Sequence, residues 1–196
     1  MRGKMARVLK MEKRGSGYLV TVSQGDEILK LQLDREKTIE YGILRGGEIE
    51  ENILDALVFE RDLTLAKKKA LSILSYGDKS RGVLYDKLLV AGYSDEVSRL
   101  AVEYVLSYGY IDEERQVESA VLRLATRDLR SKRYIIAKLL SEGYDESLVE
   151  GVIDTLTSDG RVDFSLIADE LAEKMGVTGE EKQKLLYKRG FIEEDF

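Results

Sequence analysis

The stretch LYDKLLVAGY at residues 84–93 returns as IIAKLLSEGY at residues 135–144, so that Lys87-Leu88-Leu89 falls on Lys138-Leu139-Leu140 and Gly92-Tyr93 on Gly143-Tyr144. The same shift of 51 residues pairs Leu71 with Leu122, Ser80 with Ser131, Ser107 with Ser158, Gly109 with Gly160 and Asp112 with Asp163. Ten identities join 71–112 to 122–163, where ordinary residue frequencies give about two or three. The chain is therefore built on a tandem repeat. Apolar residues recur at helical spacing in each copy, which makes the repeat unit a set of three helices. In the first copy the second helix starts at Ser80 and ends at Gly92, and the third runs from Ser94 to Gly109. In the second copy Asp112, Ser131 and Asp145 are the N-cap candidates, with Gly143 and Gly160 as terminators. Ser and Asp suit these positions because their side-chain oxygens accept the unpaired N–H groups of a first turn. The chain contains no Pro, so caps and glycines alone must set the helix ends.

The Gly-aromatic pairs fit a Schellman ending, with Gly in the left-handed conformation and the next residue folding back on the last turn. This predicts Tyr93 against Leu88, Tyr110 against Val105, Tyr144 against Leu139 and Phe191 against Leu186, with a looser turn at Gly160, where Arg161 replaces the aromatic. The apolar stripe of each repeat predicts burial of Leu84, Leu88, Leu100, Val105, Ile135, Leu139, Val152 and Leu156.

Outward from the repeats, the pattern changes on the N-terminal side. Arg7 to Lys13, Tyr18 to Ser23 and Glu27 to Leu33 read as three strands, the last with Leu29, Leu31 and Leu33 alternating with Lys30 and Gln32. Turns at Gly15-Ser16-Gly17 and Gln24-Gly25-Asp26 make them an antiparallel meander. Asp34 to Tyr41 reads as a short helix or irregular segment, Arg45-Gly46-Gly47 as a break, Glu50 to Leu57 as a short helix, and Leu63 to Tyr76 as a longer one. The expected fold class is mostly α: tandem three-helix repeats in an elongated array, preceded by a small antiparallel β-rich N-terminal domain. The expected divisions are a β-rich domain over 1–48, a helical connector over 49–62, repeat 1 over 63–111, repeat 2 over 112–162 and an incomplete repeat 3 over 163–196. In the third repeat a helix is expected over 164–175, then a capping box of Thr178 and Glu181. Only Ile192 to Phe196 follow Gly190-Phe191; the third helix of that repeat is expected to be missing or frayed, with 192–196 mobile.

Composition narrows the chemistry. The chain has neither His nor Cys, which removes the commonest general base, the usual transition-metal ligands and the thiolate nucleophile. Gly15-Ser16-Gly17 lacks the rest of a dinucleotide fingerprint, and no phosphate-loop motif occurs. Around Asp159-Gly160 a calcium loop would place Thr155 first and Leu166 twelfth, where carboxylates are needed. No catalytic constellation, cofactor site or metal site is expected, and the chain reads as non-enzymatic. No apolar run reaches the length of a membrane span, and no apolar stretch follows the basic start at Met1 to Met11, so no signal peptide is expected. Absence of cysteine makes the cytoplasm the default compartment. A monomer is expected.

The net charge of −6 is unevenly spread. Residues 1–14 carry six bases against Glu12, and 139–196 carry 15 acids against six bases. Between them, 123–138 holds Arg123, Arg127, Arg130, Lys132, Arg133 and Lys138 against Asp128 alone. Arg123, Arg127 and Arg130 recur at helical spacing and are expected on one face of the helix opening the second repeat. Lys132 and Arg133 begin the next helix, where free N–H groups also favour an anion. These six are the candidate contacts for a nucleic acid or an acidic protein, although charged side chains on solvated helix faces read the same way.

The stretches Ala70-Leu71-Ser72-Ile73-Leu74-Ser75, Asp86 to Tyr93, and Tyr108-Gly109-Tyr110-Ile111-Asp112-Glu113-Glu114-Arg115 resemble the RecX family in their order and spacing. Leu44-Arg45-Gly46-Gly47-Glu48-Ile49 is similar to the N-terminal extension of some members. The sequence departs from the family pattern at Val83, where an acid is usual, at Gln116, where an aromatic is common, and at Ser131, where Gly is frequent. The resemblance implies a regulator that lies in the groove of the RecA–DNA filament and limits its recombinase and coprotease activities in DNA repair, recombination and the SOS response. It also implies direct DNA binding, which an acidic chain is expected to show only weakly. The alternative is a helical-repeat interaction or nucleic-acid-binding module with another partner.

Overall fold

Alternation of apolar and polar residues puts one face of an antiparallel sheet inside. The chain is seen in a computed structural model that describes residues 5–192; the expected mobility at 193–196 lies outside these residues. Strands β1 (Met5–Arg14), β2 (Gly17–Gln24) and β3 (Glu27–Asp34) form the expected meander. Gly15 and Gly25 open the two-residue turns with φ of 57° and 61°, which only Gly adopts without cost. A fourth strand, β4 (Glu48–Glu50), follows the helix α1 (Arg35–Glu40) and pairs antiparallel with the start of β1, giving the order β3-β2-β1-β4. The meander reading missed β4 because Glu-Ile-Glu is too short to show a period. Register slips between Val8 and Lys10, so Leu9 is the extra residue of a bulge.

The inner face of Ala6, Val8, Val20, Val22, Leu31 and Leu33 packs with Ile43, Ile49, Leu54 and Leu57 in one core cluster. Leu54 and Leu57 belong to α2 (Glu51–Leu74), one continuous helix of 24 residues. The expected separation into a short and a long helix is corrected here, since Val58 to Asp62 contain no Gly or Pro that would stop a helix, and Asp62 continues the helix instead of capping a new one.

Contacts divide the chain into two compact units, one taking in the chain up to Lys69 with Gly92–Ala101, the other Ala70–Ala91 with the chain from Val102 on. The helices after α2 are α3 (Arg81–Val90), α4 (Asp95–Ser107), α5 (Glu113–Leu122), α6 (Lys132–Ser141), α7 (Glu146–Ser158), α8 (Phe164–Met175) and α9 (Gly179–Lys188). None of the described helices is long and apolar enough to cross a membrane. The core of the second unit joins Val117 and Val121, Ile135 and Leu139, Ile153 and Leu156, and the third-repeat residues Phe164, Leu171, Leu186 and Phe191.

The caps form where Ser and Asp were placed. The side chains of Ser80, Asp112, Ser131 and Asp145 accept first-turn N–H groups of Val83, Arg115, Tyr134 and Leu148, and Ser94 accepts from Val97. Thr178 precedes α9 but makes no side-chain cap bond, so the expected capping box is absent. The backbone fold-back bonds are present from Tyr110 N to Val105 O (2.9 Å), Tyr144 N to Leu139 O (3.2 Å) and Phe191 N to Leu186 O (3.1 Å). Arg161 N reaches Leu156 O at 2.9 Å as well, which corrects the expected looser turn. The motif needs a left-handed residue, supplied by Gly160 at φ 68°, and makes no demand on the side chain that follows. Seven of the eight stripe residues are buried; Leu100 is only partly so, because the buried face of α4 runs through Val97, Ala101, Val102 and Val105.

Successive repeats are tied through their second helices. Ser80 Oγ donates to Glu142 O at the end of α6 (2.7 Å), and Ser131 Oγ donates to Arg189 O at the end of α9 (3.2 Å). A Cβ on Gly82 would lie 2.9 Å from Gly143 O, so the first of these approaches requires Gly at that position.

Ser98 on α4 is fully buried, and among the described residues its hydroxyl finds no partner. Burying an unsatisfied hydroxyl costs about 1–3 kcal/mol. Ser98→Ala is therefore expected to raise stability by about 1 kcal/mol in urea denaturation, and a destabilised variant would show that the hydroxyl is satisfied.

Candidate interaction surface

The six basic residues sit between the end of α5 and the end of α6. After Leu122 the helix widens into a π-turn (Arg123–Arg127), with Asp128 N bonded to Arg123 O at 3.2 Å. Leu129 follows at φ 49°, buried, the only non-Gly residue with positive φ among those described. That conformation costs an L-residue about 1–2 kcal/mol, offset here by burial of the leucine side chain. The consequence is a correction to the expected single face. Arg123 and Arg127 share a side nearly one turn apart, but Arg130 lies beyond the helix and is set by the left-handed residue before it.

Arg130 places its guanidinium 4.8 Å from the ring centroid of Tyr134, a cation–π stack. Arg123 reaches Asp128 at 3.2 Å and Lys138 reaches Glu142 at 2.8 Å. The Glu142 carboxylate accepting from Lys138 Nζ holds that ammonium above its ordinary value, while burial and the nearby Arg123 pull the other way. Arg123, Arg130, Tyr134 and Lys138 thus belong to one surface, in which two of the cations are already balanced by acids.

Lys132 and Arg133 face elsewhere. With Ile136, Ala137 and Leu140 they occupy the opposite side of α6 from Tyr134 and Lys138, lining a groove of about 1030 Å³ between α6, α7 and the start of α8. Lys132 is held by Asp154 of α7 at 3.2 Å. Among the described residues neither Arg127 nor Arg133 has an acidic partner, and both are exposed. Sequence reading missed the Tyr134 platform and the Asp154 partner. Tyr134 was visible as a neighbour of Arg130 but not its stacking, and Asp154 lies 22 residues from Lys132. Gln116, one of the departures from the family pattern, accepts a hydrogen bond from Tyr144 Oη at 2.9 Å; burial, aided by Glu142, pushes that phenol up.

The chain matches no family profile. It is 28% identical over 190 residues to the regulatory protein RecX of Caldanaerobacter subterraneus subsp. tengcongensis, covering 95% of this chain and 93% of that one. It is 30% identical over 138 residues to the RecX of Vibrio cholerae serotype O1, covering 66% of this chain and 88% of the relative. The chain belongs to the RecX family of regulatory proteins. The RecX of Streptococcus uberis matches at 23% identity over 86% of this chain, which spans 62% of that relative's length. Two RecX crystal structures share the fold, one at a TM-score of 0.64 and 18% identity over 97% of this chain. The other, from Lactobacillus salivarius, has a TM-score of 0.58 and 19% identity over 69% of it. A likeness along nearly the whole chain extends the RecX fold over the N-terminal sheet as well as the repeats.

Proposed function

We propose that this chain regulates RecA by binding the RecA–single-stranded DNA filament and inhibiting its recombinase and coprotease activities, without catalytic chemistry of its own. The observation that carries the reading is the clustering, in an otherwise acidic RecX-family chain, of exposed Arg127, which has no acidic partner among the described residues, with the Arg130–Tyr134 stack, and of Arg133 on the other side of α6. A nucleoprotein filament is a dense polyanion, so a local basic surface on an acidic body engages it while free DNA is held weakly. The test is ATP hydrolysis by RecA on single-stranded DNA with increasing amounts of the chain. Hydrolysis is expected to slow in a dose-dependent and salt-sensitive way. If it stays unchanged at every stoichiometry, the RecA reading fails, and a pull-down against RecA with and without DNA shows whether any association remains.

A further inference from the structure

The groove between α6, α7 and α8 is where the second repeat departs from the first. At the positions 51 residues earlier, Arg81 and Glu113 form an ion pair at 2.9 Å, and Glu113 also accepts from Arg81 N. In the second repeat the same pair of positions holds Lys132 and Phe164, while Ile136 and Ala137 stand where the first repeat has Tyr85 and Asp86. The polar closure is thus replaced by an apolar floor, and Leu140 and Ile192 at its margin are 36% and 45% exposed. The charges left around it are unequal in what they can accept. Lys132 is engaged by Asp154, and Asp163 is bound to the first-turn N–H groups of Ser165 and Leu166. Arg133 alone remains without a partner among the described residues.

We propose that this groove receives an amphipathic segment of the protein component of the filament, its apolar side chains on Ile136, Leu140 and Phe164 and a carboxylate on Arg133. This deepens the reading above and rests on it. The volume is enough for several side chains, and an apolar stripe flanked by one acid is what a helix laid in a groove presents. Nucleic acid is disfavoured at this place, because the floor offers nothing to a phosphate and both Asp154 and Asp163 repel one. The six basic residues therefore divide their work, with Arg123, Arg127, Arg130 and Lys138 turned to the polyanion and the Arg133 side of α6 to protein.

The test is the neutral double variant Leu140→Asn with Ile192→Asn, which removes apolar contact and leaves every charge in place. Its half-inhibitory concentration on RecA ATP hydrolysis is expected to rise about tenfold or more, with the salt dependence of wild type retained. In parallel, a photo-crosslinking amino acid at Ala137 is expected to capture RecA protein from the filament. Should the double variant inhibit within about twofold of wild type, or the crosslink go to DNA, the groove assignment falls and the filament reading stands. Should wild type itself not inhibit, both fall together. If the double variant melts below wild type, Ile192→Asn alone and the crosslink decide.

Discussion

Replacing Arg127, Arg130 and Arg133 together by Glu is expected to weaken inhibition of RecA ATP hydrolysis by well over tenfold. Each contact to a phosphate contributes close to one unit of salt dependence, so losing Arg127 and Arg130, adding two repulsive charges there and reversing Arg133 at the groove together outweigh any single apolar contact. Arg127 and Arg133 have no acidic partner to release among the described residues, so their reversal acts on the ligand and not on the protein's own ion pairs. Among the described residues the side chain of Arg130 gives up only its stack on Tyr134. Substitutions at such surface positions usually change stability by less than about 0.5 kcal/mol each, and the variant should keep wild-type helicity. Measured at two salt concentrations, the loss should be larger at low salt, where attraction is strongest in wild type. A triple variant that inhibits as well as wild type would leave the regulator in place and remove the basic surface as its contact. Splitting the variant separates the two surfaces: Arg127→Glu with Arg130→Glu, in the π-turn and the loop before α6, should flatten the salt dependence, whereas Arg133→Glu alone should act on the groove.

What the sequence discloses and what it hides differ for physical reasons. Repeat period, caps and Gly stops are local chemistry, and they were readable because a chain without Pro has no other way to end its helices. Strand β4 was not readable, since its pairing is decided by the distant Met5 to Arg7 and not by its own three residues. The π-turn was hidden for a related cause. Nothing in Arg123-Leu124-Ala125-Thr126-Arg127 forbids an α-helix, and the widening is accompanied by the burial of Leu129 in a left-handed conformation. Helical spacing therefore grouped Arg123, Arg127 and Arg130 correctly as near neighbours in sequence but wrongly as one helix face. The groove could not be foreseen at all, because its margin is set by Leu140 of α6 and by Ile192, apolar residues that look like ordinary core until their exposure is seen.

Ser80→Ala combined with Ser131→Ala is expected to cost about 4–6 kcal/mol, a large part of the 5–15 kcal/mol that holds a domain of ordinary stability. Ser80 and Ser131 are 2% and 0% exposed, and each hydroxyl does two things at once. Each accepts a first-turn N–H of its own helix, worth about 1 kcal/mol. Each also donates to a last-turn carbonyl of the second helix in the following repeat, Glu142 O for Ser80 and Arg189 O for Ser131. Alanine leaves that carbonyl without its donor in a part-buried contact, about another 1–2 kcal/mol. Among the described residues the two positions share no partner, so their costs should add. Ser94→Ala is the control, because Ser94 caps Val97 N at 3.3 Å but is exposed and makes no such second bond among the described residues. It should cost about 1 kcal/mol or less. In urea denaturation the difference between Ser131→Ala and Ser94→Ala isolates the tie between repeats from the cap. If the two cost the same, the hydroxyl bonds to Glu142 O and Arg189 O contribute nothing, and neighbouring repeats are held by their apolar contacts alone.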